Sequence, residues 1–322
     1  MKAVRPKQPG GPEELRLEDF PTPVPTGTQL LVRTEAIGVN FIDVYSRSGQ
    51  YQSPRPIPVG LEGAGVIEAI GEGVTSLKPG ERVAWTSTPG SYATHVLVPA
   101  ERAIPVPDGL DSSLAAAVLL QGLTAHYLAY STFALSAGHT ALVHAGAGGV
   151  GLLLTQIAKR KGARVITTVS TPQKAEISKQ AGADAVILYD QQDFEAESCQ
   201  LTAGRGVDVV YDSVGKTTFE KSLRSLRPRG MLVLFGQSSG AVGPLDPQTL
   251  AAKGSLFLTR PTLGHYTATR EELVSRANDL FGWVKAGELK VRIDRTFPLA
   301  DAAEAHRALE SRATTGKVLL IP

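Results

Sequence analysis

Hydrophobic and polar positions change their rhythm twice along the chain. Up to Leu110, apolar residues alternate with polar ones or gather in short β-branched runs at Gln29 to Ile37, Gly65 to Ile70, Arg82 to Trp85 and His95 to Val98. Gly and Pro bound each run, which predicts strands joined by turns. Prolines 21, 23, 25, 54, 56, 58, 105 and 107 keep the region in short pieces. Its expected form is a compact, partly open β-barrel. From Asp111 the texture becomes helical, with Ser112 to Gln121 and Thr124 to Ala134 as two stretches and Asp111 as the N-cap of the first.

A third texture follows. Strand patterns at Ala141 to His144, Arg164 to Val169, Ala185 to Leu188, Val207 to Tyr211 and Met231 to Phe235 alternate with helical ones starting at Val150, Pro172 and Thr217. Repeated βαβ units imply a parallel sheet covered on both faces, with Ser255 to Leu258 as its last strand. Beyond Pro261 the pattern predicts a helix over Thr269 to Ala286, a strand over Val291 to Phe297, a helix over Leu299 to Glu310 and a strand over Lys317 to Ile321. This tail matches the first third in character and is expected to fold back onto it. The predicted division is a barrel domain from residues 1–121 and 261–322, with residues 122–260 inserted as a doubly wound domain.

The densest chemical signal lies where the first parallel strand ends, in Val143-His-Ala-Gly-Ala-Gly-Gly-Val-Gly151. The G-x-G-x-x-G spacing between a strand and a helix is that of a dinucleotide fingerprint. On this reading Gly146 makes the tight turn, Gly148 admits a pyrophosphate and Gly151 lets the helix pack on its strand. The helix N-terminus adds unpaired N–H groups and a partial positive charge. About twenty residues on, where sites for NAD carry an acidic side chain, the chain reads Val169-Ser-Thr-Pro-Gln-Lys174. With no carboxylate there, Ser170 and Thr171 as donors and Lys174 as a cation favour the 2′-phosphate of NADP. Ser-Thr-Pro also forms an ordinary helix cap, and the two roles coexist at one helix start.

Composition narrows the partners. The 322 residues are long enough for two cores, and the formal net charge of +2 argues against a dominant nucleic-acid or membrane-surface field. No apolar run reaches the length of a membrane span, and the N-terminus lacks the apolar core of a signal peptide, so a cytosolic location is expected. One cysteine, Cys199, in a polar stretch without a neighbouring base, excludes an internal disulfide and is not expected to be a nucleophile. His126, His144 and His265 are read as structural.

Several motifs in order carry a resemblance over essentially the whole length: Gly38-Val-Asn-Phe-Ile-Asp-Val-Tyr45, Gly60-Leu-Glu-Gly-Ala-Gly65 with Gly71 and Val74, His144 to Gly151, Tyr211-Asp-Ser-Val-Gly215, Phe235-Gly-Gln-Ser-Ser-Gly240 and Ser311-Arg-Ala-Thr-Thr-Gly316. Together they resemble the zinc-free quinone oxidoreductases, the zeta-crystallin-like branch of the medium-chain dehydrogenase/reductase superfamily. The resemblance implies an α/β fold made of a GroES-like β-barrel catalytic domain and a Rossmann domain with a doubly wound parallel sheet. It also implies NADPH as cofactor, a quinone as acceptor, and a homodimer, for which the apolar strand Gly254 to Thr259 is the candidate edge. Zinc-dependent relatives carry a cysteine, a Gly-His-Glu histidine and a second cysteine where this chain has Asn40, Leu61 and, approximately, Gln121. Leucine cannot bind zinc and the two amides are unusual ligands, so no metal is expected.

Carried over residue by residue, the resemblance makes Asn40 and Tyr45 the candidates for polar contacts to substrate or nicotinamide. Phe41, Ile42 and Tyr127 would line the nicotinamide pocket. Gly148, Gly149, Val150 and Gly151 would hold the pyrophosphate, Ser170 and Lys174 the 2′-phosphate, and Tyr189 would stack by adenine. Ser213, Phe235, Gly236, Gln237, Ser238, Leu258 and Thr259 would border the cofactor, with Arg312 reaching it from the C-terminal segment. The expected reaction is metal-free transfer of a hydride, or of electrons, from NADPH to a quinone. An enone or alkenal double-bond reductase is the nearest alternative. A binding protein for NADPH and single-stranded nucleic acid is the alternative of another class, weakly supported by the slight positive charge and by no aromatic-platform motif.

Overall fold

The computed structural model describes residues 1–322 and forms two compact units, Met1–Leu123 with Thr267–Pro322, and Thr124–Tyr266. The first unit begins with β1 (Lys2–Val4), β2 (Leu17–Asp19), β3 (Gln29–Val39), α1 (Phe41–Ser48), β4 (Gly63–Ile70), β5 (Arg82–Trp85), β6 (His95–Pro99) and β7 (Ile104–Pro105). Next, α2 (Ser112–Tyr127) runs on into a π-helical turn at Leu128–Thr132. The second unit contains β8 (Thr140–His144), α3 (Gly149–Arg160), β9 (Arg164–Val169), α4 (Pro172–Gln180), β10 (Ala185–Leu188), α5 (Phe194–Leu201), β11 (Val207–Asp212), α6 (Phe219–Arg224), β12 (Leu226–Leu234), α7 (Gln248–Ala252), β13 (Phe257–Thr259) and α8 (Leu263–Tyr266). The chain closes with α9 (Arg270–Lys285), β14 (Ile293–Pro298), α10 (Ala302–Glu310) and β15 (Lys317–Ile321).

In the first unit a seven-stranded sheet has the order β14-β15-β3-β4-β5-β7, with β6 also paired to β3. All pairs are antiparallel except β14 with β15. The long strand β3 serves two cores. Leu30 and Val32 pack with Ile67, Val83, Trp85 and Val98, whereas Ile37 and Val39 pack with Val4, Tyr92, Val318 and Leu320. A register shift between Thr34 and Ala36 separates the two halves and bends the strand, as bulges do.

The second unit is a six-stranded parallel sheet ordered β10-β9-β8-β11-β12-β13. Counted in chain order this is 3-2-1-4-5-6, so the winding reverses between β8 and β11. Ligands of such sheets sit beyond the strand C-termini at that reversal. Leu142, Ile166, Val210 and Leu232 fill the sheet interior against Phe219 and Leu223 of α6.

The structure corrects the sequence reading at several elements. The two helices expected around residue 122 are one, because Gly122 packs beside the Leu280 side chain, 3.0 Å from where a Cβ would stand, and this tertiary contact outweighs glycine's low helix propensity. Helix α1 was not anticipated within the β-rich third. It is started by Asp43, whose Oδ2 accepts the Asn40 N–H at 2.8 Å, and ended by Gly49 at φ +82°. Helix α5 was also missed. Its stretch is mostly polar and shows little period, yet it buries Phe194 and Ser198 and is capped by Asp193.

Candidate active site

At the end of β8 the glycine turn is built differently from the simplest reading of its fingerprint. Ala145, not Gly146, takes the left-handed conformation, with φ +55°. Gly146 is required by crowding instead, since a Cβ there would stand 2.5 Å from Thr167 Cβ on β9, and its N–H donates to Thr168 O at 3.0 Å. A Cβ on Gly151 would stand 2.3 Å from the Ala145 carbonyl oxygen, so the helix closes tightly onto the turn. At Gly148 the nearest atom to such a Cβ is the same oxygen at 3.2 Å, a tight contact but less severe than the one at Gly151. No side chain caps α3, so the N–H groups of its first turn are available to an anion.

Neighbouring strand ends complete an arc around this turn. Ser170 follows β9 directly and is half-buried, and Tyr189, exposed, is tied beside it by a Tyr189 N–H to Val169 O hydrogen bond of 3.1 Å. Thr171 caps α4 by accepting the Lys174 N–H at 3.3 Å, which fixes the half-buried Lys174 in the first turn. Beyond β11, Ser213, Phe235, Gly236 and Ser238 are drawn together. Phe235 N–H donates to Asp212 O at 2.9 Å and Ser238 N–H to Ser213 O at 3.1 Å, while a Cβ on Gly236 would stand 2.6 Å from Ser213 O. Gln237 lies in the same loop, and Leu258 and Thr259 pair with β12 at Leu232 and Val233. Tyr127 is buried and stacked on Tyr266, with centroids 4.3 Å apart and planes at 8°. Burial and the neighbouring Tyr266 raise its pKa far above the usual phenol range, so it remains a donor.

Asp212 organises this region, and the sequence reading passed over it. Its Oδ1 accepts the Val214 and Gly215 N–H groups at 2.8 and 3.0 Å, and its Oδ2 accepts the Thr218 and Ser222 hydroxyls at 2.7 and 2.8 Å. Because Ser222 spends its proton on Asp212, its oxygen accepts from His144 Nε2 at 3.0 Å, leaving Nδ1 to accept from Thr168 at 2.8 Å. Burial lowers the His144 pKa, against a raising effect of Asp212. His144 is thus a neutral tie between β8, β9 and α6.

In the first unit Asn40 is 5% exposed and its amide is fully committed. Oδ1 accepts from Lys317 Nζ at 3.0 Å and Gln121 Nε2 at 3.2 Å, and Nδ2 donates to Glu62 Oε1 at 3.0 Å. Lys317 and Glu62 form an ion pair at 1% and 0% exposure, and the Leu120 N–H donates to Glu62 Oε2 at 2.7 Å. Tyr45 is buried with its ring 6.1 Å from Phe41 and 5.2 Å from Tyr51. Phe41 and Ile42 are half-buried on α1, and Arg312 is exposed with φ +58° just after α10. Glu62 and Lys317 escaped notice in the sequence, although single charges inside Gly-Leu-Glu-Gly-Ala-Gly and Gly-Lys-Val-Leu-Leu are the kind that demand a buried partner.

Residues 26–108 match the alcohol dehydrogenase GroES-like domain and residues 181–320 match the zinc-binding dehydrogenase family. The donor set does not fit the zinc that the second description implies. No group of three His, Cys, Asp or Glu side chains is arranged to hold a metal, and the oxygen of Asn40 is taken by the Lys317 ammonium, which would repel a dication. The chain is 46% identical to a quinone oxidoreductase of Pseudomonas aeruginosa over 97% of both chains. It is 43% identical to a 2-haloacrylate reductase of a Burkholderia species, over 100% of this chain and 99% of that protein. The Escherichia coli quinone oxidoreductase solved in complex with NADPH superposes with a TM-score of 0.98, at 43% identity and full coverage of both chains. With the parallel sheet, the uncapped glycine turn and this agreement along the entire length, the chain belongs to the quinone oxidoreductases of the medium-chain dehydrogenase/reductase superfamily.

Proposed function

We propose that this protein transfers hydride from NADPH to a quinone without a metal. The observation that carries the reading is the arc at the strand ends of the second unit, an uncapped glycine turn beside Ser170 and Lys174 with no carboxylate between them. In this reading Gly148 to Gly151 hold the pyrophosphate, Ser170 and Lys174 the 2′-phosphate, and Tyr189 covers the adenine. Ser213, Phe235 to Ser238, Leu258 and Thr259 border the cofactor from the later strands. Bound there, NADPH supplies a hydride that a quinone accepts onto a conjugated system, and the chain's residues orient the two partners. In the first unit Phe41 and Ile42 offer apolar walls and Tyr45 a polar contact, and in the second Tyr127 keeps its proton as a donor. Asn40, with its amide spent inwardly, sets the position of the Phe41 to Tyr45 helix rather than reaching out itself.

Stopped-flow oxidation of NADPH by a panel of small quinones tests this reading, and failure of every quinone to exceed the uncatalysed rate would overturn it. The 2-haloacrylate reductase among the relatives favours a second reading, reduction of an activated double bond on the same scaffold. Product analysis with an enone distinguishes them, since a saturated ketone marks the second. Association into a homodimer through β13 is part of the proposal. That strand is a sheet edge with Phe257 56% exposed, and an unpaired apolar edge invites its symmetry mate. A species of monomer mass in sedimentation at micromolar concentration would refute the dimer. No helix is long and apolar enough to cross a membrane.

A further inference from the structure

A hydrogen-bond chain runs through the first unit, and its donors converge on Asp43 from Tyr92 on one side and Asn40 on the other. At its outer end Glu310 accepts two hydrogen bonds from Arg47, at 2.7 and 2.9 Å. Arg47 Nη1 also lies 3.2 Å from Nδ1 of His306, on α10. A guanidinium only donates, so Nδ1 accepts and the neutral ring carries its proton on Nε2. Nε2 then donates to Tyr92 Oη at 3.0 Å, and the Tyr92 proton goes to Asp43 Oδ2 at 3.2 Å. The same oxygen accepts the Asn40 N–H at 2.8 Å. Asp43 Oδ1, by contrast, is buried with no hydrogen-bond partner.

We propose that Asp43 is a positioning residue for hydride transfer, its carboxylate anchoring the Asn40 N–H and the Tyr92 hydroxyl so that helix α1 holds Phe41, Ile42 and Tyr45 in their working arrangement. The assignment rests on the quinone reductase reading. Charge-assisted hydrogen bonds are about twice as strong as neutral ones, so a proton on the carboxyl loosens the anchor. The unpartnered Oδ1 is the atom free to take that proton. Groups around Asp43 come from each packed element: Glu62 just before β4, Lys317 from β15, Tyr92 before β6, Arg47 on α1 itself and His306 on α10. Burial raises the Asp43 pKa to about 7, with Glu62 adding to the rise, while the Asn40 N–H, Lys317 and Tyr92 oppose it. His306 is lowered to about 3 by burial and by Arg47, so it stays neutral as the chain requires. Within the chain from His306 to Asn40, Asp43 is therefore the member that changes charge near neutrality.

The experiment is the single-turnover rate of NADPH oxidation by a quinone with no ionisation of its own near neutrality, followed across pH at saturating NADPH. In the wild type the rate rises with pH through an ionisation near neutrality. Asp43→Asn is expected to lower the rate about fivefold at high pH, remove that ionisation and leave the NADPH KM within about twofold. Tyr92→Phe keeps the carboxyl but removes a hydrogen bond to its charged form, so the midpoint must move upward. An infrared titration of the cofactor-free protein follows the protonated carboxyl band, which should disappear over the same range in the wild type and be missing in Asp43→Asn. Retention of the wild-type pH profile by Asp43→Asn, or an unmoved midpoint in Tyr92→Phe, overturns the proposal. If no quinone reacts with the wild type, the quinone reading fails, whereas the infrared titration still tests the carboxyl.

Discussion

Replacing Lys317 with Met isolates what the buried ion pair contributes. Glu62 is fully buried, and two of its hydrogen bonds, from Leu120 N–H and Asn40 Nδ2, remain in the variant, but its charge loses the only ammonium beside it. Breaking one partner of a buried pair costs about 3–5 kcal/mol, because the remaining charge has neither water nor a counterion. Asn40 Oδ1 keeps Gln121 as a donor, so no further orphan is created there. The double variant Glu62→Gln, Lys317→Met removes both charges while the glutamine carbonyl still accepts from Leu120 and the Asn40 and Gln121 amides turn to present an oxygen to each facing N–H, and it should lie within about 1–2 kcal/mol of the wild type, since uncharged replacements of buried pairs are often near neutral. Urea is the suitable denaturant, being uncharged, with stability taken by linear extrapolation. The chain's two tryptophans, Trp85 and Trp283, both belong to the first unit, so tryptophan fluorescence, excited without the tyrosines, follows that unit's transition selectively. A loss below about 1 kcal/mol in Lys317→Met, or a double variant no more stable than the single one, would refute the argument.

Lys174→Ala should raise the KM for NADPH about fivefold and leave that for NADH unchanged, since a half-exposed charge on the 2′-phosphate is worth about 1 kcal/mol, and equal effects on both would reject the contact. Gly151→Ala forces a Cβ to 2.3 Å from a backbone oxygen and should lower both stability and cofactor affinity. Gly148→Ala has 3.2 Å and should lower affinity tenfold or more with a smaller loss of stability than Gly151→Ala, a contrast that calorimetry with and without NADPH will read. Burial opposes ionisation of Asp208, but Arg205, Arg227 and the Thr140 N–H outweigh it and hold the carboxyl well below the usual range. A depressed folded pKa gives stability that stands above about pH 4 and is lost as pH falls further, so Asp208→Asn should flatten the acid dependence of amide exchange in β8 and β11.

The legible parts of this chain were those written in period and punctuation. β3 and the parallel strands of the second unit stood out because buried β-branched runs alternate with turn residues, and the glycine turn because its spacing is tied to a strand and a helix. Helix α1 was hidden because it is only eight residues long within a strand-rich region and is fixed by specific side-chain bonds. It depends on Asp43 closing over Asn40 and on Arg47 reaching Glu310, a residue 263 positions away. The role of Gly146 was misread for a related reason: a sequence shows that glycine is needed, but whether for a left-handed φ or for the side chain of Thr167 depends on the neighbouring strand. Asp212 and the Glu62 to Lys317 pair show the same limit from the electrostatic side. Each was visible as a charge in an apolar setting, and only the fold supplied its partner.

That electrostatic arrangement bears on which acceptors the protein can reduce. Hydride arriving at a carbonyl leaves a negative charge that a plain ketone must hold on one oxygen, and removing a single donor from such an oxygen in other enzymes lowers the rate about 10²–10³-fold. Around Asn40 the one ammonium, Lys317, is neutralised by Glu62, and the amide that could have faced outward is bound to both. The first unit therefore offers no uncompensated cation at this point, and an unconjugated ketone would meet little stabilisation there. A quinone or an enone spreads the charge over its own conjugated system and needs less from the protein. Unconjugated ketones should accordingly be reduced at least about a hundredfold more slowly than quinones at equal concentration. Comparable rates in a coupled NADPH assay would mean that a donor outside this cluster carries the developing charge, and that the buried pair has no bearing on acceptor choice.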